Sequence, residues 1–247
     1  MPRYKITVEY DGSPFFGWQA QENLPTVQGF LQQAIFKATG HEPEVFGAGR
    51  TDTGVHAVAQ VAHFDSDKNW DPYRMASAIN AHLAAAKVPI SVLEASIAPD
   101  DFHARFSAKY RSYKYVVINR RSPLVLWKSR AYLYKYSLDV AAMQRATGVF
   151  IGRRDFSSFR ASECQSASAI KTIDDFTITQ TGEQIVFQVK AKSFLHHQVR
   201  NMVGSLVEVG RGKIDGFTLQ KILDAKDRRK AGPTAPACGL YLFQVDY

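Results

Sequence analysis

Residues Arg3 to Gly12 read RYKITVEYDG, and this stretch sets the fold. Tyr4, Ile6, Val8 and Tyr10 recur at period two, so one face of an extended chain is apolar, and Asp11-Gly12 ends the run as a turn. A strand is expected. From Thr26, a residue suited to cap a helix, Val27, Phe30, Leu31, Ala34 and Ile35 repeat at helical spacing until Gly40 supplies a stop. A short strand around Glu44 to Phe46, a glycine-rich loop and a second strand in VAQVAHF (Val58–Phe64) follow. Asp71-Pro72 then opens a helix carrying Met75, Ala78, Ile79, His82 and Leu83, and SVLEASIA (Ser91–Ala98) closes the series as a strand. The order β-α-β-β-α-β is the split ferredoxin-like arrangement, which is also the layout of RNA-recognition modules.

The remainder repeats this order. Strands are expected in YRSYKYVVIN (110–119), AIKTIDDFTIT (169–179) and QIVFQVKAKS (184–193), with helices from near Ser137, from Phe194 to about Val209 and after Asp215, and a last strand in GLYLFQVDY (239–247). The expectation is an α+β protein of two RRM-like halves, residues 1–106 and 107–247. Abutting edge to edge, they would share one extended, mostly antiparallel sheet, with helices on one side and an open basic cleft on the other.

The chain has 31 Lys+Arg against 23 Asp+Glu, a formal net charge of +8, and this excess favours polyanionic partners. Its placement is more telling. Between Phe102 and Tyr136 no acidic residue occurs, while Arg105, Lys109, Arg111, Lys114, Arg120, Arg121, Lys128, Arg130 and Lys135 alternate with Tyr110, Tyr113, Tyr115, Trp127, Tyr132, Tyr134 and Tyr136. A phosphate backbone is the natural neutraliser of such a tract, and aromatic faces can stack exposed bases. A strand edge protected by lysines would not need the aromatics. Cys164 and Cys238 lack zinc spacing and read as free thiols. With no apolar signal core and no apolar run near 18 residues, the expectation is a soluble cytoplasmic protein without a membrane segment.

The loop AGRTDTGVHA (Ala48–Ala57) sets Arg50, Asp52 and His56 among glycines and threonines, with little that could fill a core. Glycines let a ligand approach the main chain closely; a turn aspartate that only binds backbone N–H groups is the plainer alternative. Asp65 and Asp67 follow, but no cluster has ligand spacing for magnesium or zinc. In FLHHQVRNMVGSLVEVG (Phe194–Gly210) Leu195, Val199, Met202, Val203, Leu206 and Val207 form an apolar stripe with Arg200 on its flank. A half-buried guanidinium needs a partner, and Asp52 is the carboxylate expected to face it. A snorkelling arginine on an ordinary amphipathic helix is the alternative.

GWQ (17–19), GRTDTGVHA (49–57), FHARFSA (102–108), RSYKY (111–115), HHQVRNMVG (196–204) and GLYL (239–242) together resemble the TruA family of tRNA pseudouridine synthases along nearly the whole chain. The resemblance implies the pseudouridine synthase fold, with Asp52 as catalytic carboxylate and Arg200 as its partner. It implies that Tyr113 stacks on the target uracil, Leu242 lines the base pocket and Arg50 handles RNA beside the extruded nucleotide. Arg105 and Arg111 lie within its motifs and are candidate RNA contacts. The implied substrate is tRNA, isomerised at positions 38, 39 and 40 of the anticodon stem-loop, and the implied active form is a homodimer. The reaction needs no cofactor and no metal, which suits a chain without a P-loop, a dinucleotide fingerprint or a zinc pattern. Two readings of other classes compete. One is a non-catalytic RNA-binding protein of tandem RRM-like modules, which lacks the expected RNP1 strand; the other is a metal-dependent nuclease built on Asp52, Asp65 and Asp67.

Overall fold

Strand β1 (Arg3–Tyr10) alternates as its sequence requires, burying Tyr4, Ile6, Val8 and Tyr10. In this computed structural model, which describes residues 1–247, β1 lies between β3 (His56–Asp65) and β4 (Ile90–Ala98), antiparallel to both. Strand β2 (Phe46–Gly47) adds to β3. Helix α1 (Val27–Thr39) starts where Thr26 accepts the Gly29 N–H at 3.3 Å and stops at Gly40, whose φ of 78° suits a residue without a side chain. Helix α2 (Pro72–Ala85) is capped by Asp71, whose carboxylate accepts the Arg74 N–H at 2.9 Å. The helices pack on each other and α2 on β4, burying Leu31, Ile35, Met75, Ile79 and Leu83.

The chain forms two compact units, residues 1–109 with 241–247 and residues 110–240. The C-terminal strand β10 (Leu240–Asp246) returns to the first unit and pairs parallel to β3, with Tyr241 opposite His56 and Leu242 opposite Ala57. Pattern reading finds that strand but not its partner, because strand pairing at long range leaves no local trace.

The second unit is also mixed α+β. Strand β5 (Tyr110–Asn119), the short β6 (Tyr132–Tyr134), β7 (Gly152–Asp155), β8 (Ile170–Thr181) and β9 (Gln184–Ala191) form its sheet, in the order β5-β9-β8-β7 with antiparallel pairing and β6 parallel on β5. Its helices are α3 (Val140–Ala146), α4 (Gln198–Gly210) and α5 (Gly216–Asp224). No helix is long and apolar enough to cross a membrane.

Two helix expectations need correction. The first helix of this unit starts at Val140, capped by Asp139, and not near Ser137. Helix α4 does not start at Phe194. Residues 195–198 form a turn in which the Gln198 N–H donates to the Leu195 carbonyl at 3.1 Å and the Leu195 N–H to Gln198 Oε1 at 2.8 Å, and His197 takes a left-handed φ of 59°. Nor is α4 an amphipathic surface helix. Gln198, Asn201, Gly204 and Ser205 are buried along with the apolar stripe, and a Cβ at Gly204 would strike the Pro233 carbonyl.

Beneath the first unit's sheet, Phe102, Val245 and Tyr247 pack on Ala48, Val61 and Ala104. His63 closes this small core at 2% exposure, stacked on Phe46 at 5.0 Å, with its Nδ1 accepting the Ala104 N–H at 3.2 Å. Burial, and then the positive charge of His103 and Arg3, lowers its pKa from 6.5 to about 4. The folded state therefore holds His63 neutral where the unfolded chain would protonate it. Its contribution to stability is full above about pH 6.5 and is lost progressively as pH falls towards 4. Comparing melting temperatures of the wild type and His63→Gln between about pH 7.5 and pH 4.5 tests this: the gap should narrow on acidification. A gap independent of pH would refute the linkage.

Candidate active site

Loop 48–55 joins β2 to β3 and is held by contacts from both sides. The Ala48 N–H donates to the Val61 carbonyl at 2.7 Å, and Gln60 Nε2 donates to the Gly49 carbonyl at 2.7 Å. On the other side, the Trp18 N–H donates to the Thr51 carbonyl at 3.0 Å and the Thr51 and Tyr10 hydroxyls bond at 2.8 Å. Asp52 itself begins a tight turn, its carbonyl accepting the Val55 N–H at 3.1 Å, with Gly54 at φ 75° in the turn. Asp52 is half-buried.

The neighbouring segment from Gly12 to Trp18 makes this possible. Gly17 has φ 86°, and a Cβ there would lie 2.5 Å from the Thr51 carbonyl oxygen. A Cβ on Gly12 would overlap the Val55 carbonyl. The GWQ motif thus has a physical reason: one backbone packs directly on the loop that bears Asp52. Sequence reading treated GWQ only as part of a pattern and missed that role.

At the end of the loop, buried His56 accepts the Gly12 N–H on Nδ1 at 3.0 Å and stacks on Tyr241 at 4.6 Å. Leu242 is fully buried beside Ala57, so the β3–β10 pairing sets it next to the loop. Arg50 projects from the same loop, exposed and without an ion pair. Arg105 lies elsewhere in this unit, its guanidinium 5.6 Å from the ring of Phe106, an aromatic that is 75% exposed. Asp65 is held by Arg3, with Nε–Oδ1 2.7 Å and Nη2–Oδ2 2.8 Å, and this bidentate pair gives it a structural role.

The second unit brings the other candidates together. Tyr113 and Arg111 project from the same side of β5, 9% and 8% exposed. The Tyr113 ring meets Phe194 edge-on at 5.2 Å and 89°, and Arg111 Nη1 donates to the Lys192 carbonyl at 2.7 Å. Both contacts tie β5 to the segment that leads into α4. Phe194 was missed as a site residue because it was read as the first turn of a helix. On α4, Arg200 is half-buried, and its Nε donates to the Ala235 carbonyl at 2.8 Å while the Ala235 N–H donates to the Arg200 carbonyl at 3.1 Å. Main chain around Ala235 thereby fixes where this guanidinium points.

The basic tract is not uniformly free of counter-charge. Arg120 pairs with Glu183 at 3.1 Å across the β8–β9 turn, and Arg111 is buried. Tyr132, Tyr134 and Tyr136 form an edge-to-face ladder, with centroids 5.9 and 6.1 Å apart, that ends on exposed Tyr136.

The family model described as tRNA pseudouridine synthase matches residues 6–107 and 146–247. A protein of Azorhizobium caulinodans named tRNA pseudouridine synthase A is 50% identical over 247 residues, covering 100% of this chain and 95% of that protein. Proteins of the same name from Maricaulis maris and Sinorhizobium fredii are 49% and 48% identical over the full chain, covering 98% and 100% of their own lengths. The chain therefore belongs to the tRNA pseudouridine synthase family, enzymes that isomerise uridine in tRNA.

Proposed function

We propose that this enzyme converts uridine to pseudouridine at positions 38, 39 and 40 of the tRNA anticodon stem-loop, with Asp52 as the reacting carboxylate. The observation that carries this reading is the clamped loop: a half-exposed carboxylate, fixed by main-chain contacts on both sides, on the motif shared with the family. A turn aspartate with no further task would not need two glycine backbones packed against it. The reading as non-catalytic tandem RNA-binding modules is not favoured by the full-length relationship to named synthases.

The isomerisation breaks the N1–C1′ bond, turns the base and forms C5–C1′. N1 gains a proton and C5 loses one to solvent, with no net oxidation or hydrolysis. One carboxylate suffices, either by attack at C1′ of the sugar or C6 of the base, or by removing the 2′ proton to form a glycal. Either route needs the charged form of Asp52. The first half of the chain, residues 1–106, supplies it, and in our reading Arg200 of the second half, 107–247, is the cation that keeps it ionised.

The target base must leave the stack before its atoms can be reached. In this reading Tyr113 covers the flipped uracil and Leu242 supplies an apolar wall, supported by the edge-on contact of Phe194 with the Tyr113 ring and by the pairing of Leu242 with Ala57. Arg50 enters where the base departed, and Arg105 and Arg111 hold the flanking RNA. Recognition by charge and shape tolerates several neighbouring targets better than base-edge reading does. The active form is a cytoplasmic homodimer, and sedimentation at micromolar concentration should give about twice the chain mass of 27.6 kDa. Sedimentation at the chain mass would remove the dimer from this account.

Incubation in EDTA with unmodified tRNA tritiated at uracil C5 tests the reaction. Wild-type protein should release tritium with the RNA chain intact, and replacing uridines 38–40 with cytidine should abolish release. Asp52→Asn should slow release by roughly 10²–10⁴-fold while tRNA binding is retained. Equal release by that variant would overturn the role of Asp52. Gly17→Val, which forces the Thr51–Asp52 main chain aside, should lower kcat by roughly 10²-fold, as expected for a reacting group displaced by about 1 Å. An unchanged kcat would show that the glycine contact does not position the carboxylate.

A further inference from the structure

Within the second unit a cleft of about 600 Å³ is lined by Arg160, Arg228, Asn201, Thr234, His197 and Glu163, among others. Its floor is built, not incidental. Buried Asn201 of α4 donates through Nδ2 to the Phe159 carbonyl at 2.8 Å, and its Oδ1 accepts from Arg228 Nη2 at 3.0 Å and from the Thr234 hydroxyl at 2.7 Å. Arg228 also donates to Thr234 Oγ1 at 2.9 Å and to the Gly232 carbonyl at 3.0 Å. Every one of these partners is neutral.

Acids are close at hand, yet they serve the neighbours. Asp227 pairs with Arg229 at 2.8 Å and Asp155 with Lys226 at 3.3 Å, while Arg228 between them has no carboxylate. Burial lowers its pKa, which reports a positive charge held partly out of water without an opposite charge nearby. Across the cleft, Arg160 donates to the Cys164 carbonyl at 2.6 Å, lies beside the Cys164 thiol and likewise forms no ion pair. Glu163 at the rim is exposed and pairs with neither arginine. Two guanidiniums sharing one cleft, neither paired with a carboxylate, call for an anion from outside.

We propose that this cleft is a subsite for a backbone phosphodiester of the RNA substrate, with Arg160 as the contact residue and Arg228 as fixed positive charge beneath it. The inference rests on the reading of the chain as an enzyme acting on tRNA, whose phosphates supply the anion. The volume exceeds what one phosphate fills and leaves room for the attached ribose, which Ser157 and Ser162 can meet with hydroxyl groups. Holding a phosphate on α4's own unit would fix the strand relative to Arg200, which projects from that helix.

Tritium release and equilibrium tRNA binding, each measured from about 50 to 300 mM salt, test the subsite. Loss of one phosphate contact should reduce the slope of log K against log[salt] by ~0.9 in Arg160→Gln, with KM raised several-fold and kcat within about twofold of wild type. Arg160→Lys, which keeps the charge, should keep the slope, and Glu163→Gln should tighten binding. Arg229→Gln, an equal change in charge at an ion-paired neighbour, should leave the slope unchanged. A wild-type slope in Arg160→Gln, or the same loss of slope in Arg229→Gln, would overturn the proposal. Wild-type protein that binds tRNA with the expected Arg160 dependence but releases no tritium would instead overturn the isomerase reading and leave the subsite standing.

Discussion

The contact of bare backbone against bare backbone between the Gly12–Trp18 segment and loop 48–55 is the constraint on which the rest depends. Neither Gly12 nor Gly17 can carry a side chain without displacing the carbonyls of Val55 or Thr51. Gly47 faces the Trp18 ring with the same intolerance. A carboxylate on a surface loop ordinarily loses orientation to thermal motion; here the loop is tied to β3 on one flank and to a second loop on the other. Preorganisation of this kind lowers the cost of reaching a reactive geometry, because the ordering is complete before substrate arrives.

The second unit solves a related problem differently. Arg200 is long and flexible, and its direction is set by placing it on a helix that is buried almost all round. Helix α4 has Gly204 against Pro233 and Ser205 bonded to the Gly232 N–H at 2.9 Å, so the segment after Lys230 lies flat on the helix. That segment then returns to Arg200 through the paired Ala235 bonds. The buried polar residues Asn201 and Ser205 are all satisfied by main chain or by Arg228 and Thr234, which makes the arrangement specific as well as stable.

Much of the architecture was legible because its signals are local. Period-two alternation in β1, the Thr26 and Asp71 caps and the Gly40 stop are each decided within a few residues, and the structure has them where the sequence implies. What escaped reading depends on partners distant in sequence. The start of α4 was misplaced because Phe194 and Leu195 continue its apolar stripe, while the break at His197 is set by a Gln198 side chain folding back on the Leu195 N–H. The return of β10 to β3 is a pairing across most of the chain. For the site, Asp52 and Arg50 stood out by composition and Tyr113 and Leu242 by motif. The supports Gly12, Tyr10, Phe194 and Ala235 carry ordinary residue types whose roles arise only from what they touch.

The net charge takes on a different meaning once its partners are known. Arg3, Arg120, Arg211 and Arg229 are neutralised by Asp65, Glu183, Glu208 and Asp227, and of these the Arg3–Asp65 and Arg120–Glu183 pairs join segments distant in sequence. Arg50, Arg121, Lys128 and Lys135 have no such partner, nor do Arg160 and Arg228 in their cleft. The excess of +8 is therefore not spread evenly over the surface. It is concentrated in residues that the fold leaves unneutralised, and mutual repulsion among them is a cost the free protein bears. A phosphate backbone would remove that cost and release its own counterions on binding, so cations that the fold leaves unpaired are the ones that would make affinity for RNA depend on salt. Charge pairing inside the units and charge left over on them thus divide the basic residues between holding the fold and remaining open to an anionic partner.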